Sequence, residues 1–209
     1  VEALRYRSFP NNGQVCVAQT RILVPRANHD ALVDALADNV RRMTIGDPAD
    51  PDTFLGPLVA ERQRKRVSDY IEDGIESGAD LAIGGTGLPE GINHGAFVKP
   101  TVFANVDNKS RIAQEEIFGP VVCVIPYDGV EEAIRLANDS PYGLSGSVWT
   151  QDDEKGLEIA RRVRTGGLTI NNASPDLLSP FGGFKRSGIG REFGPEAISH
   201  YIEHKTVAV

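Results

Sequence analysis

Residues 20–40 read TRILVPRANHDALVDALADNV, and a change of period inside this stretch decides the fold class. Ile22, Leu23 and Val24 form a short strand-type run that Pro25 closes. Beyond Asn28, which stands where an N-cap is wanted, Leu32, Val33, Leu36, Ala37 and Val40 fall on one helical face. The same exchange recurs downstream. Residues 60–78, AERQRKRVSDYIEDGIESG, place Val67, Ile71 and Ile75 at helical spacing and end on Gly78, a residue suited to a left-handed C-terminal position. Strand-like ADLAIGG, AFVKPTVFANV, PVVCVIPYD, LSGSVWT and GGLTINN then alternate with helical VEEAIRLAND and DEKGLEIARRV as far as Asn172. Alternation at this short spacing predicts an α/β fold, a three-layer αβα arrangement with a largely parallel sheet between helices. The final strand-like piece, HKTVAV, lies outside the alternating block and is expected to be an arm that docks elsewhere.

Composition narrows the class of function. A chain of 209 residues buries roughly 70 to 75% of the surface its unfolded form exposes. Its 40% hydrophobic and 24% charged residues are those of an ordinary soluble protein. The net charge of -7, with acids and bases interspersed, excludes a nucleic-acid surface, which needs a basic patch to neutralise phosphates. No apolar run approaches the roughly 20 residues that span a bilayer, and VEALRYRSF is too charged for a signal peptide. Two cysteines with no sign of pairing suit a reducing, cytoplasmic compartment. The sequence opens without Met, so a leader ahead of Val1 would lie outside it.

Four constellations carry candidate chemistry. Cys16 follows the turn FPNNGQ; such a cysteine is either a small buried hydrophobe or a nucleophile, and Gly13 with the amides of Asn11, Asn12 and Gln14 favours a polar, tightly turned setting. Cys123, flanked by valines, reads as core. Glu115 and Glu116 are either a solvated helix end or a carboxylate that accepts two ribose hydroxyls. The glycine-rich residues 179–194 fit neither phosphate motif: Phe184 separates Gly183 from Lys185, and Gly194 falls one residue late for a dinucleotide fingerprint. HYIEH, residues 200–204, has the H-x-x-E-H form of a zinc hydrolase, yet no third ligand follows His204, so no metal is expected.

Eight segments in order resemble the aldehyde dehydrogenase superfamily: FPNNGQVCVAQTRILV, LGPLV, VKPTVF, QEEIFGPVV, NDSPYGLSGSVWT, GGLTINN, PFGGFKRSGIGRE and YIEHKTVAV. The resemblance implies that Cys16 is the nucleophile on a loop at the mouth of a substrate tunnel, with its own backbone N–H as an oxyanion donor. It implies that Glu116 holds the nicotinamide ribose of NAD or NADP, that Phe118 lies beside the nicotinamide, and that Gln63 contacts the adenosine side. Phe181 would line the aldehyde tunnel, residues 173–179 would shape substrate choice, and Glu192 would be a second carboxylate near the tunnel. By the same resemblance residues 1–186 form the catalytic domain and 187–209 a C-terminal helix and oligomerisation arm, braced by Arg191 and Glu203, in a dimer or tetramer. An N-terminal NAD-binding domain, carrying the general-base glutamate, the oxyanion-hole asparagine and the pyrophosphate loop, is expected to belong to the same polypeptide. Two rival classes stand beside this reading: a non-catalytic interaction fragment that keeps the fold, and a metallohydrolase using His200 and His204.

Overall fold

The computed structural model describes residues 1–174, 176 and 178–209, which divide into two compact units, 1–139 and 140–209. The boundary drawn at residue 186 from the sequence falls inside the second unit.

In the first unit a four-stranded sheet has the order β1-β4-β3-β2, with β1 Arg21–Pro25, β2 Asp80–Ile83, β3 Thr101–Ala104 and β4 Val121–Tyr127. β4 runs parallel to both β1 and β3, and only the edge strand β2 is antiparallel. Period-two alternation sends successive side chains to opposite faces. Ile22, Val24, Val102, Ala104, Val122 and Val124 therefore build one core, together with Val33, Leu36 and Val40 of α2 (His29–Arg41) and with Phe9. Phe103, Val121, Cys123 and Ile125 build the other, with Val67, Tyr70 and Ile71 of α3 (Glu61–Glu76), Ile112 and Ala113 of α4 (Arg111–Gln114) and Leu136 of α5 (Val130–Asn138). Helices on both faces of a mostly parallel sheet make the three-layer αβα arrangement expected from the alternation. α1 (Glu2–Ser8) leads into the first of these cores.

Local signals are met unevenly. α3 ends in a Schellman motif: the Ala79 N–H donates to Gly74 O and the Gly78 N–H to Ile75 O, both at 3.1 Å, with Gly78 at φ +87°. Asn28 holds the N-cap position of α2, but its side chain makes no capping bond.

The second unit pairs β5 (Ser145–Val148) with β6 (Gly167–Ile170) in parallel across α6 (Asp153–Arg162), whose N-cap Asp152 accepts from the Lys155 N–H at 3.1 Å. It closes with a 3-10 turn, Pro195–Tyr201. Residues 204–209, expected to be strand-like, are exposed and join no ladder among the described residues. Strand propensity needs a free sheet edge to act on, and none in this unit takes these residues.

Candidate active site

The chain between α1 and β1 is shaped by three consecutive left-handed residues, Asn11 (φ 49°), Asn12 (φ 59°) and Gly13 (φ 71°). Asparagine tolerates this region because its short side chain bonds locally. Asn11 Nδ2 donates to Gln14 O at 3.1 Å, Asn12 Nδ2 donates to Pro57 O at 3.0 Å, and the Val59 N–H donates to Gln14 Oε1 at 3.1 Å. The three amides read from the sequence as neighbours of the thiol are thus committed to backbone, and their work is to shape the loop. Gly13 meets the backbone of another segment: a β-carbon there would overlap the carbonyl of Gly119.

A second turn follows at once, closed by the Ala18 N–H on Val15 O at 2.9 Å, and it carries Cys16. The Cys16 side chain is exposed, and its own N–H has no acceptor among the described residues. Cys123 is 1% exposed. Burial pushes its thiol up to about 12, so it stays protonated and packs as a small hydrophobe.

Gly119 belongs to the turn between α4 and β4 that holds both glutamates, and here the two acids part company. The Glu115 carboxylate accepts from the Tyr70 hydroxyl at 2.6 Å and from Arg111 Nε at 3.2 Å. These bonds, Tyr70's above all, hold it below the usual carboxylate range. The Glu116 carboxylate is exposed and takes no hydrogen bond or ion pair among the described residues. Phe118 sits half-buried at φ 59°, and Gln63 Nε2 donates to its carbonyl at 2.7 Å and to that of Ile117 at 3.3 Å. Cys16, Gln63, Glu116 and Phe118 thus lie on one connected set of segments, bound through Gly13 and Gly119. Gln63 enters that set as a support for the turn. Arg66, Tyr70 and Arg111 were not singled out from the sequence; the helical spacing of 63, 66 and 70 was the available signal.

In the second unit Phe181 and Glu192 pair backbone to backbone, each N–H donating to the other's carbonyl at 2.7 Å. The Phe181 ring lies 6.3 Å from that of Phe193. The glycine-rich loop between them is tied down: Arg191 Nη1 donates to Gly183 O at 2.9 Å and Gly190 O at 2.7 Å. Arg191 is therefore engaged with carbonyls, and makes no ion pair with Glu203. His200 Nε2 accepts from the Arg191 N–H at 3.1 Å. Among the described residues no group of three or more His, Cys, Asp or Glu could hold a metal ion. Of residues 173–179, expected to shape substrate choice, Pro175 and Leu177 lie outside the described residues.

Residues 1–207 match the sequence pattern of the aldehyde dehydrogenase family. The chain belongs to that family. It is 48% identical over 207 residues to a geranial dehydrogenase from Castellaniella defragrans, covering 99% of this chain and 43% of that protein. The structure of a Mycobacterium tuberculosis aldehyde dehydrogenase complexed with NAD+ superposes with a TM-score of 0.91 at 55% identity, covering 95% of this chain and 41% of that one. A mutant aldehyde dehydrogenase C from Pseudomonas syringae, complexed with NAD+ and octanal, gives 0.94 at 42% identity, over 96% of this chain and 41% of that one. The chain spans 42 to 43% of the length of such curated relatives.

Two outcomes follow from this geometry. Iodoacetamide should label Cys16 of the folded chain and reach Cys123 only on unfolding, as peptide mapping along a urea series would show. Gly13→Ala should lower stability by about 1 to 3 kcal/mol, since the added methyl must displace backbone; the urea midpoint measures it.

Proposed function

We propose that this chain is the catalytic part of an NAD(P)-dependent aldehyde dehydrogenase, which oxidises an aldehyde to a carboxylic acid through a thiohemiacetal and a thioester on Cys16. One observation carries the reading: the exposed Cys16 loop rests, through Gly13, on the turn that presents an uncommitted Glu116 carboxylate. The family match supports it, as do the NAD+ complexes of the two similar structures.

The Cys16 thiolate adds to the aldehyde carbon, and the carbonyl π pair moves onto oxygen. The Cys16 N–H, which has no acceptor among the described residues, donates to that oxyanion. NAD(P)+, when bound, supplies the acceptor for the hydride lost from this carbon. The chemistry of the donors suits its nicotinamide riboside half: Glu116 accepts from two ribose hydroxyls, and the half-buried Phe118 offers a flat face. Water then adds to the thioester, and the Cys16 thiolate leaves as the acid forms, so that one hard oxidation becomes two easier steps. By the family resemblance Phe181 would contact the aldehyde and Glu192 would relay protons. The relatives' greater length supports an N-terminal NAD-binding domain in the same polypeptide that carries the general base. Two unpaired cysteines suit a cytoplasmic setting, and no helix among the described residues is long and apolar enough to cross a membrane.

The test is an assay with NAD+, NADP+ and a panel of aldehydes. The isolated chain should give no turnover, because it lacks the base and most of the cofactor site. The full-length enzyme should turn over, and its Cys16→Ala variant should not, whereas Cys123→Ala should mainly loosen packing. Equal loss of chemistry from both variants, with folding intact, would reject Cys16 as the nucleophile.

The exposed terminal residues, among them Ile198, Tyr201, Ile202 and Val207, are the oligomerisation arm of a homo-dimer or tetramer. Deleting residues 205–209 should shift the full-length assembly toward smaller species in light scattering; an unchanged size distribution would count against the arm.

A further inference from the structure

Gln63, Arg66, Val67 and Tyr70 stand at i, i+3, i+4 and i+7 of α3 and so share one face. That face meets the chain at every residue from Glu115 to Gly119. The Tyr70 hydroxyl donates to the Glu115 carboxylate, Arg66 Nη2 to the Glu116 carbonyl, and Gln63 Nε2 to the carbonyls of Ile117 and Phe118. Val67 closes the row by packing where a β-carbon on Gly119 would have to be. Arg66 is itself held, since its Nη2 lies 3.2 Å from the Tyr70 hydroxyl and its guanidinium 5.0 Å from the centre of the Tyr70 ring. Three successive carbonyls that precede β4 are thus satisfied by two side chains of one helix instead of by a neighbouring strand.

We propose that Gln63 and Arg66 are positioning residues of the dehydrogenase, which set the Glu116 carboxylate and the Phe118 ring against the Cys16 loop by gripping the backbone between them. The proposal rests on the role given to Glu116 above. Its physical basis is the conformation of the turn: a phenylalanine at φ 59° persists only where its surroundings over-determine it. Gln63 donates to the carbonyl of that residue, and Arg66 anchors the carbonyl of the residue whose carboxylate faces the ligand. Loss of either grip lets the turn relax while leaving the thiol and the sheet in place.

The test is a mutant cycle read by single-turnover NADH formation in the full-length enzyme, paired with a measurement that needs no cofactor. Gln63→Ala and Arg66→Met should each slow the burst about 10- to 100-fold, the scale of a misplaced reacting group. kcat should fall while the aldehyde KM and the rate of Cys16 alkylation stay unchanged. Arg66→Lys, which keeps a donor for the Glu116 carbonyl, should restore most of the rate. On a Glu116→Gln background the further loss should be small, because both changes act through the same carboxylate. In the isolated chain, Gln63→Ala should speed amide hydrogen exchange across residues 117–119. Losses that multiply in full with Glu116→Gln, or exchange that does not change, would overturn the proposal. A Glu116→Gln burst equal to wild type would instead bring down the role of Glu116, and this inference with it. Arg66→Met touches a single carbonyl of the turn and gives the same decision should Gln63→Ala fail to fold.

Discussion

No side chain fits between Gly13 and Gly119. The first sits at φ 71° with its α-carbon against the carbonyl of the second, and the second presses its own α-carbon into Val67 of α3. Loop and turn are thereby stacked backbone on backbone, and the turn rests on the Val67 side chain of the helix. The thiol-bearing loop and the turn that holds both glutamates come from distant parts of the sequence, and this contact sets their separation. A backbone contact tolerates little adjustment, because it offers no rotamer through which an added atom can be accommodated.

The sheet repeats the same relation at larger scale. The Cys16 loop runs into β1 and the Glu116 turn runs into β4, and these two strands are parallel neighbours, with Arg21 opposite Cys123 and Pro25 opposite Tyr127. Both candidate segments therefore approach the sheet at the amino ends of adjacent strands. Open α/β sheets more often gather ligands beyond the carboxyl ends, whereas these candidate segments are the loops that enter the strands. β4 is fit to anchor it: Val122 and Val124 are buried in one core and Val121, Cys123 and Ile125 in the other, and this double burial holds the strand.

Polar groups divide by whether they already have a partner. Glu115 has Tyr70 and Arg111, and its neighbour Glu116 has none among the described residues. Asn11, Asn12 and Gln14 bond to backbone and define the loop, and the Cys16 N–H has no acceptor among the described residues. Groups of the first kind build the site, and groups of the second kind are available to a ligand. Buried donors and acceptors must find partners within the protein, whereas exposed ones can be satisfied by solvent or a ligand.

The sequence alone determined the succession of strands and helices, because period two and period 3.6 are written in the side chains themselves: Ile22 to Val24 against Leu32 to Val40, or the valines around Cys123. It also determined which cysteine is core, since flanking valines leave Cys123 no other environment, and it marked the turns at Gly13 and Gly78. Cys16 itself stays open between hydrophobe and nucleophile in the local sequence, and the structure shows it exposed. Only the tertiary structure decided which of two adjacent glutamates is paired, that Gln63 and Arg66 grip the turn before β4, that Asn28 caps nothing, and that Arg191 holds glycine carbonyls instead of Glu203. The first two depend on partners 45 to 55 residues away along the chain, and the last two on which nearby backbone groups the fold leaves within reach. Local pattern reports a residue's preferences, whereas hydrogen-bond partners are assigned by which segments the packed sheet and helices bring within reach.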